Sequence, residues 1–486
     1  MLQVWTGWDV DGWVSSFYFQ IVMGVSNDKI GGVTDRRNVD LAEIVERQKV
    51  TAFLVRLVAL SCLVTFFDGF DTSVMSFVAP DLSAALHLGK DALGKLLASA
   101  QFGMIFGGFL FGFLGDRIGR RRSIILATAS VGLLGVSLAW AEGYSTLLAL
   151  RFVQGIAMGG LLPLAWALNI EYAPKRFRAT LVTVIMLGYS IGSSAAGPLT
   201  IWLAPRYGWR SLFVFGGCGA LIATGLLGLF LPESMKFLAS RNERPDLIAR
   251  YAHQIAPDAV IQTSDRFFVS GESVERKDFR LSMLFQNELR WITPLLWGAY
   301  FTSSIAVFFG STWTPTLLGM LGYGRNTSAL ATSINTLGGA LGGLLLMRFT
   351  DTRGAKSISV LPALAVPVLL TMALSGFVGR SFLVLYFLAN TLQVGAHYGV
   401  MSIAGIFYPS AYRSNGGGWA TTVAKFGSAL GPVLGGIALS SRLPVKLVFA
   451  PLAICPVVVG CAVFFIGRLQ HRIAANEEVE PVAEPI

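Results

Sequence analysis

Charge is scarce in this chain, and histidine and cysteine are scarcer. Of 486 residues, 14% are Asp, Glu, Lys or Arg, and there are only four histidines and four cysteines. His87, His253, His397 and His471 are widely separated, so no clustered catalytic set of histidines and carboxylates is visible and an enzyme is disfavoured. Cys62, Cys218, Cys455 and Cys461 all fall in apolar runs, which argues against a disulfide framework or a Cys/His metal site and leaves them as small packing residues. The chain has no G-x-x-x-x-G-K-[ST] loop and no polar stretch large enough for a nucleotide-binding domain, which disfavours a primary pump. Neither a metal nor a cofactor is expected.

What the chain has in abundance is apolar length. Its hydrophobic content is 53% and its mean hydropathy is +0.61. A helix needs about 20 apolar residues to span a bilayer, and twelve such segments begin near Ala52, Ala92, Ser123, Thr146, Thr180, Ser211, Trp291, Asn326, Ile358, Ser381, Asn415 and Val445. The expected fold is therefore an all-α membrane protein with twelve transmembrane helices and the lipid bilayer as its medium. The net charge of +10 does not mark a nucleic-acid partner, because the basic residues sit in short loops between apolar segments. "GDRIGRRR", "APKRFRA", "RFTDTRGAK" and "YRSNG" carry eleven Lys or Arg, against eight in the loops on the other side. That bias places both termini and the central loop in the cytoplasm of a multi-pass protein of the cell (inner) membrane. The first 36 residues lack a basic segment ahead of an apolar one, and their apolar run is too short to span, so they are expected to be a disordered extension.

A polar stretch divides the spans six from six. The expected organisation is an N-terminal extension over 1–50, a six-helix bundle over 51–232, a central loop over 233–290, a second six-helix bundle over 291–468 and a tail over 469–486. Asp116 and Asp351, Gly119 and Gly354, Pro174 and Pro409, and Arg178 and Arg413 all differ by 235 positions, which argues for an internal duplication. Two such halves form a transporter plan with the substrate near the midplane between them. Gly103, Gly107, Gly108 and Gly112 lie at close-packing spacing in the second span and speak only of helix approach.

Within the first span, "LVTFFDGFDTSV" holds Asp68 and Asp71 in a run with no other charge from Leu57 to Ala79. The i, i+3 spacing puts both on one helix face. Two carboxyls so close cannot both ionise cheaply, so the pair is suited to holding a proton; the plainer reading is a hydrogen bond to a neighbouring backbone or a cap at a kink. Arg151 enters the fourth span at a depth that matches Asp71 and is the expected counter-charge, either static or exchanging with a proton, with Gln154 one turn along. Tyr386, Asn390, Gln393 and His397 follow steps of four, three and four, a polar stripe expected to face the cavity or to tie helices together. His397 by itself is a weak candidate for a proton relay. Lys425 lies too deep in the eleventh span to snorkel and needs an anion: a substrate carboxylate, an internal partner, or loss of its own charge. Trp166, Tyr300 and Trp419 either flank an aromatic ring or serve as ordinary interfacial anchors.

"GFLGDRIGRRR" from Gly112 closely resembles the loop signature of the major facilitator superfamily, "RFVQG" from Arg151 its fourth-helix motif, "LPESMKFL" from Leu231 its sixth-helix exit, and "DTRG" from Asp351 a degenerate repeat of the signature. The resemblance covers about residues 38–468. "DGFD", with "VERQ" upstream and "VAPDL" downstream, resembles the aromatic acid:proton symporter family, although Lys425 stands where that family's pattern has Arg, which keeps the charge and loses the fork. The resemblance implies a secondary transporter importing a benzoate-, hydroxybenzoate- or protocatechuate-like carboxylate with protons by alternating access, working as a monomer. A non-aromatic organic acid or other small metabolite is the alternative. The resemblance also implies that Gly112, Asp116, Arg117, Gly119, Arg120, Glu171 and Arg178, with Asp351, Arg353 and Arg413 at the repeat-related places, form a conformational latch rather than a substrate site.

Overall fold

The computed structural model describes residues 37–257, 261–270, 280–286, 289–353, 358–375, 379–408, 413–441 and 444–479, with side chains except at 179, 344–353, 402–407, 413–414, 446 and 470–479. The expectation of disorder over residues 1–36 and the repeat landmarks Gly354 and Pro409 lie outside these residues.

Twelve long helices carry the fold: α1 (Ala52–Ala85), α2 (Lys90–Ile118), α3 (Arg120–Leu138), α4 (Tyr144–Glu171), α5 (Arg178–Tyr207), α6 (Arg210–Phe230), α7 (Leu289–Met320), α8 (Arg325–Arg353), α9 (Val360–Leu374), α10 (Arg380–Phe407), α11 (Arg413–Ser440) and α12 (Ile454–Val479). Among the described residues, nine helices are long and apolar enough to cross a membrane, and α9 is a shorter apolar helix. The exceptions α8 and α10 are interrupted by polar side chains such as Asn335, Asn390 and Gln393, which their packing turns inward. Large apolar side chains stand on the outside, Phe109 at 63% and Ile222 at 67% exposure, where water would penalise them and lipid would not.

Packing between helices repeats after six. The pairs α2·α4, α1·α5 and α3·α6 recur as α8·α10, α7·α11 and α9·α12, and the contacts α2·α11 and α5·α8 exchange with each other under the same shift. Helix starts repeat as well: Lys90 and Arg325 are 235 residues apart. Small residues let these seams close. A Cβ on Gly103 or Gly107 would stand 2.1 or 2.0 Å from a carbonyl oxygen of α4, and one on Gly69 would stand 2.1 Å from the Tyr189 carbonyl of α5.

At the end carrying the GDRIGRRR loop, the chain builds a small cap. Strand β1 (Asn38–Asp40) pairs in parallel with β2 (Arg266–Phe268), and these two three-residue strands are the only sheet among the described residues. Asp40 caps the short helix Leu41–Arg47 by accepting from the Ala42 amide at 2.9 Å, and it accepts from the Ser270 amide at 3.0 Å. Burial works to raise its carboxyl, but these hydrogen bonds prevail and hold it below the usual carboxylate value. The stretch read as a polar central loop contains the helices Met235–Ser240 and Pro245–Ile255. The second buries Ile248, Ala249, Ala252 and Ile255, a helical stripe that seats it under the first bundle.

Candidate functional site

A cavity of about 230 Å³ opens between α1, α2, α4, α5, α7, α8 and α10. Most of its lining residues carry a hydroxyl or an amide set among apolar surface, with Tyr189, Tyr398 and Phe308 as aromatic members. Arg151 is the one charged side chain among its described lining residues.

Arg151 belongs to a closed buried network. Its Nη1 donates to Asp71 Oδ2 at 2.8 Å and to Gln154 Oε1 at 2.7 Å, while Gln154 Nε2 donates to Asp71 Oδ1 at 3.0 Å and to the Val131 carbonyl at 3.2 Å. Arg151 is 2% exposed and Asp71 5%. Both oxygens of Asp71 are thus occupied, while Arg151 Nε has no hydrogen-bond partner among the described residues. Asp68, one turn earlier on α1, is equally buried, yet its Oδ1 has no hydrogen-bond partner among the described residues. The Lys425 ammonium, which donates to the Met104 carbonyl at 3.1 Å beside Gly108, lies within electrostatic range of Asp68. Lys425 comes from α11 and Asp68 from α1, so this charge couple joins two bundles.

The expected stripe on α10 is split. Asn390 and His397 line the cavity together with Val394 and Tyr398, whereas Tyr386 and Gln393 do not. At about 100° per residue, Tyr386 and Gln393 fall about 40° and 60° to one side of Asn390, while Val394 and Tyr398 fall about 40° and 80° to the other. The cavity face is rotated toward the latter pair. Tyr386 hydrogen-bonds Thr314 of α7, and Gln393 borders a void of about 10 Å³ near Cys455. His397 Nδ1 lies 3.0 Å from Ser303 Oγ.

Other expected cavity residues also sit elsewhere. Gln154 is turned into the Arg151 network, and Tyr300 is 2% exposed with its hydroxyl on the Met401 carbonyl at 2.7 Å. Trp419 stacks on Trp297 at a centroid distance of 6.3 Å and is 39% exposed, which is anchor-like packing. Trp166 is absent from the described cavity lining, and its indole N–H has no partner among the described residues. Lys425, likewise outside that lining, is held on the α2 carbonyl instead.

The residues assigned to a latch form a charge network at the loop end. Arg120 pairs with Asp116 at 2.8 Å and approaches Glu171 at 3.6 Å; Glu171 accepts from Ser234 Oγ. Glu233, from the sixth-helix exit, accepts from the Arg121 amide at 3.0 Å and so supplies an anion to the N-terminus of α3, with Gly119 at φ 98° giving its carboxylate room. Arg117 stacks over Phe113, its carbonyl accepts from Arg241 at 2.7 Å, and Arg178 Nε donates to the Ala173 carbonyl at 3.2 Å. Gly112 has open space around it. Among the described residues, every partner named here lies before residue 242. Asp351 and Arg353 end α8 and Arg413 starts α11, with their side chains outside the described residues.

At the opposite end, helices from the first and second parts of the chain touch. Arg325 at the start of α8 donates to both oxygens of Asp81 near the end of α1, at 3.1 and 2.5 Å. Ser194 Oγ donates to the Ser333 carbonyl at 2.9 Å, and Gly94 packs on the Pro432 carbonyl and Gly436. The cavity is therefore closed on this side by contacts between α1, α2 and α5 on one hand and α8 and α11 on the other.

Sequence reasoning passed over Tyr189, Gln101 and Asn335, all cavity-lining. Gln101 and Asn335 are lone amides in otherwise weakly polar helices, and the rule that a polar side chain in a span faces water or a partner would have found them.

A bundle of membrane-crossing helices around a buried polar cavity, closed at one end and carrying an internal ion pair, defines a membrane transporter. The profile of the Major Facilitator Superfamily matches residues 61–432, and the chain belongs to that family. It is a multi-span membrane transporter, not an enzyme. A gallate transporter of Pseudomonas putida is 29% identical over 435 residues, covering 89% of this chain and 96% of that protein. The 4-hydroxybenzoate transporter PcaK of Acinetobacter baylyi is 28% identical, covering 91% and 97%, and the benzoate transport protein of the same organism is 27% identical, covering 92% and 96%. Among solved structures, the xylose transporter XylE of E. coli in a partially occluded inward open conformation superposes with a TM-score of 0.65 at 18% identity, covering 85% of this chain and 97% of XylE, a likeness of fold alone.

Proposed function

We propose that this protein imports an aromatic carboxylate of the benzoate, hydroxybenzoate or protocatechuate type together with protons, by alternating access between two six-helix halves, as a monomer in the inner membrane with both termini in the cytoplasm. The packing that repeats after six helices and the 235-residue offset between the starts of α2 and α8 support the two halves and the twelve spans. The basic GDRIGRRR loop supports a cytoplasmic position for its end of the bundle, which makes the Asp81–Arg325 end external and the conformation inward-facing. Similarity to three proteins named for gallate, 4-hydroxybenzoate and benzoate supports the substrate class.

The observation that carries the coupling is the unequal state of the two first-span acids. Asp71 is held by Arg151 and Gln154, while Asp68 keeps an oxygen without a partner. An ionised carboxylate left so is expensive, so Asp68 discharges by taking a proton or by drawing Lys425 toward it. Because Lys425 belongs to the other half, proton arrival loosens a tie between halves and proton loss restores it, which biases the equilibrium between access states. The basic cavity wall at Arg151 offers the substrate carboxylate its counter-charge.

Uptake of radiolabelled 4-hydroxybenzoate into cells, with and without a protonophore, tests this. We expect protonophore-sensitive accumulation that Asp68→Asn abolishes; accumulation by Asp68→Asn equal to the wild type refutes the coupling role.

A further inference from the structure

We infer that the cavity recognises ring hydroxyl groups, with Asn335 of α8 as the residue that reads them, so that the cargo is a hydroxylated aromatic acid in preference to an unsubstituted one. This deepens the aromatic-acid reading above and rests on it. Asn335 lines the cavity, is 5% exposed, and its Nδ2 has no hydrogen-bond partner among the described residues. Its turn of the helix is fixed, because the Asn335 carbonyl accepts from Asn390 Nδ2 of α10 at 2.7 Å.

The neighbours of this donor are acceptors. Thr332 and Thr336, three residues before and one after, also line the cavity, and their hydroxyl protons are spent on the Ser328 and Thr332 carbonyls at 2.7 and 3.0 Å. Each threonine oxygen keeps only lone pairs to offer. One free N–H flanked by lone pairs is the complement of a phenol, whose oxygen accepts and whose hydrogen donates. A carboxylate is acceptor-only and would meet those lone pairs unfavourably, so it is directed to the wall where Arg151 supplies the charge. A buried donor left without a partner carries a desolvation penalty, so a ligand lacking the hydroxyl is discriminated against more strongly than the loss of one contact suggests.

The test is equilibrium binding of benzoate, 4-hydroxybenzoate, 3,4-dihydroxybenzoate and 3,4,5-trihydroxybenzoate to the purified full chain, in wild type, Asn335→Val and Thr336→Val. We expect the wild type to bind at least one hydroxylated acid about 10-fold more tightly than benzoate, and Asn335→Val to erase that preference by weakening the hydroxylated acids while benzoate binding is retained or tightened. Thr336→Val reduces the same preference. Benzoate thus reports folding of each variant. A wild type that binds benzoate as tightly as every hydroxylated acid, or variants that weaken all four ligands equally, overturns the role of Asn335 and leaves the aromatic-acid reading in place. Failure of the wild type to bind any of the four overturns both.

Discussion

Asp68 and Asp71 stand three positions apart, and their surroundings differ. Asp71 is saturated by Arg151 and Gln154, so its removal or that of Arg151 leaves an uncompensated buried charge. Breaking such a pair costs about 3–5 kcal/mol. We expect Arg151→Ala to lower the thermal unfolding midpoint in detergent markedly and Arg151→Lys to lower it less, since the charge stays; equal midpoints for Arg151→Ala and wild type would show that the network contributes nothing. The pairing of Asp71 with Arg151 was legible in the sequence because helix depth follows from residue count. The partner of Lys425 was not, because depth fixes how far along the normal a side chain lies and says nothing of its azimuth in the bundle. Asn335 was passed over for a different reason: its stripe partners Ser328, Thr332 and Thr336 are hydroxyls, which satisfy themselves on nearby backbone carbonyls and so read as ordinary helix residues.

At the scale of the element, glycine seams decide how near the helices come. A Cβ on Gly69 meets the Tyr189 carbonyl at 2.1 Å, whereas one on Gly112 meets nothing within 4 Å. Gly69→Ala therefore pushes α1 from α5 and displaces Asp68, while Gly112→Ala leaves the bundle unchanged. We expect uptake by Gly69→Ala to fall at least about 10-fold with reduced folded yield, and Gly112→Ala to match wild type in yield; the reverse order contradicts the packing account. Helix starts were readable from apolar runs and polar breaks, with α2 beginning at Lys90 against an expected Ala92 and α8 at Arg325 against Asn326. The last span begins at Phe449 against an expected Val445, with Pro444 and Pro451 keeping its first turns short before α12 runs on from Ile454. The helix Pro245–Ile255 was passed over although Pro and Asp open it and an apolar stripe runs through it; its polar setting masked a local pattern.

For the whole molecule, the proposed alternation of access needs contacts that form at one end while those at the other part. The Asp81–Arg325 pair is half-exposed, and such a pair contributes up to about 1 kcal/mol, enough to move a two-state population about 5-fold. We expect Arg325→Gln to raise hydrogen exchange in the peptides around Ser194 and Ser333 as the outer end opens more often; unchanged exchange there would remove this pair from the gate. A single proton carried with a monoanion is electroneutral and leaves only the pH gradient as the drive, while a second would add about 2.3 kcal/mol per 100 mV. The 235-residue offset was visible at sequence level, and the starts of α2 and α8 keep it. That Asp71 has both oxygens occupied while Asp68 keeps one without a partner was not visible there, because the occupancy of a carboxylate oxygen depends on neighbours from other helices.

The most direct test of the central claim is proton movement itself. The purified protein in lightly buffered liposomes receives 4-hydroxybenzoate on the outside while an external pH electrode records. The account predicts alkalinisation of the medium that tracks substrate entry and vanishes in Asp68→Asn; substrate entry without any pH change in the wild type, or with an undiminished change in Asp68→Asn, contradicts it.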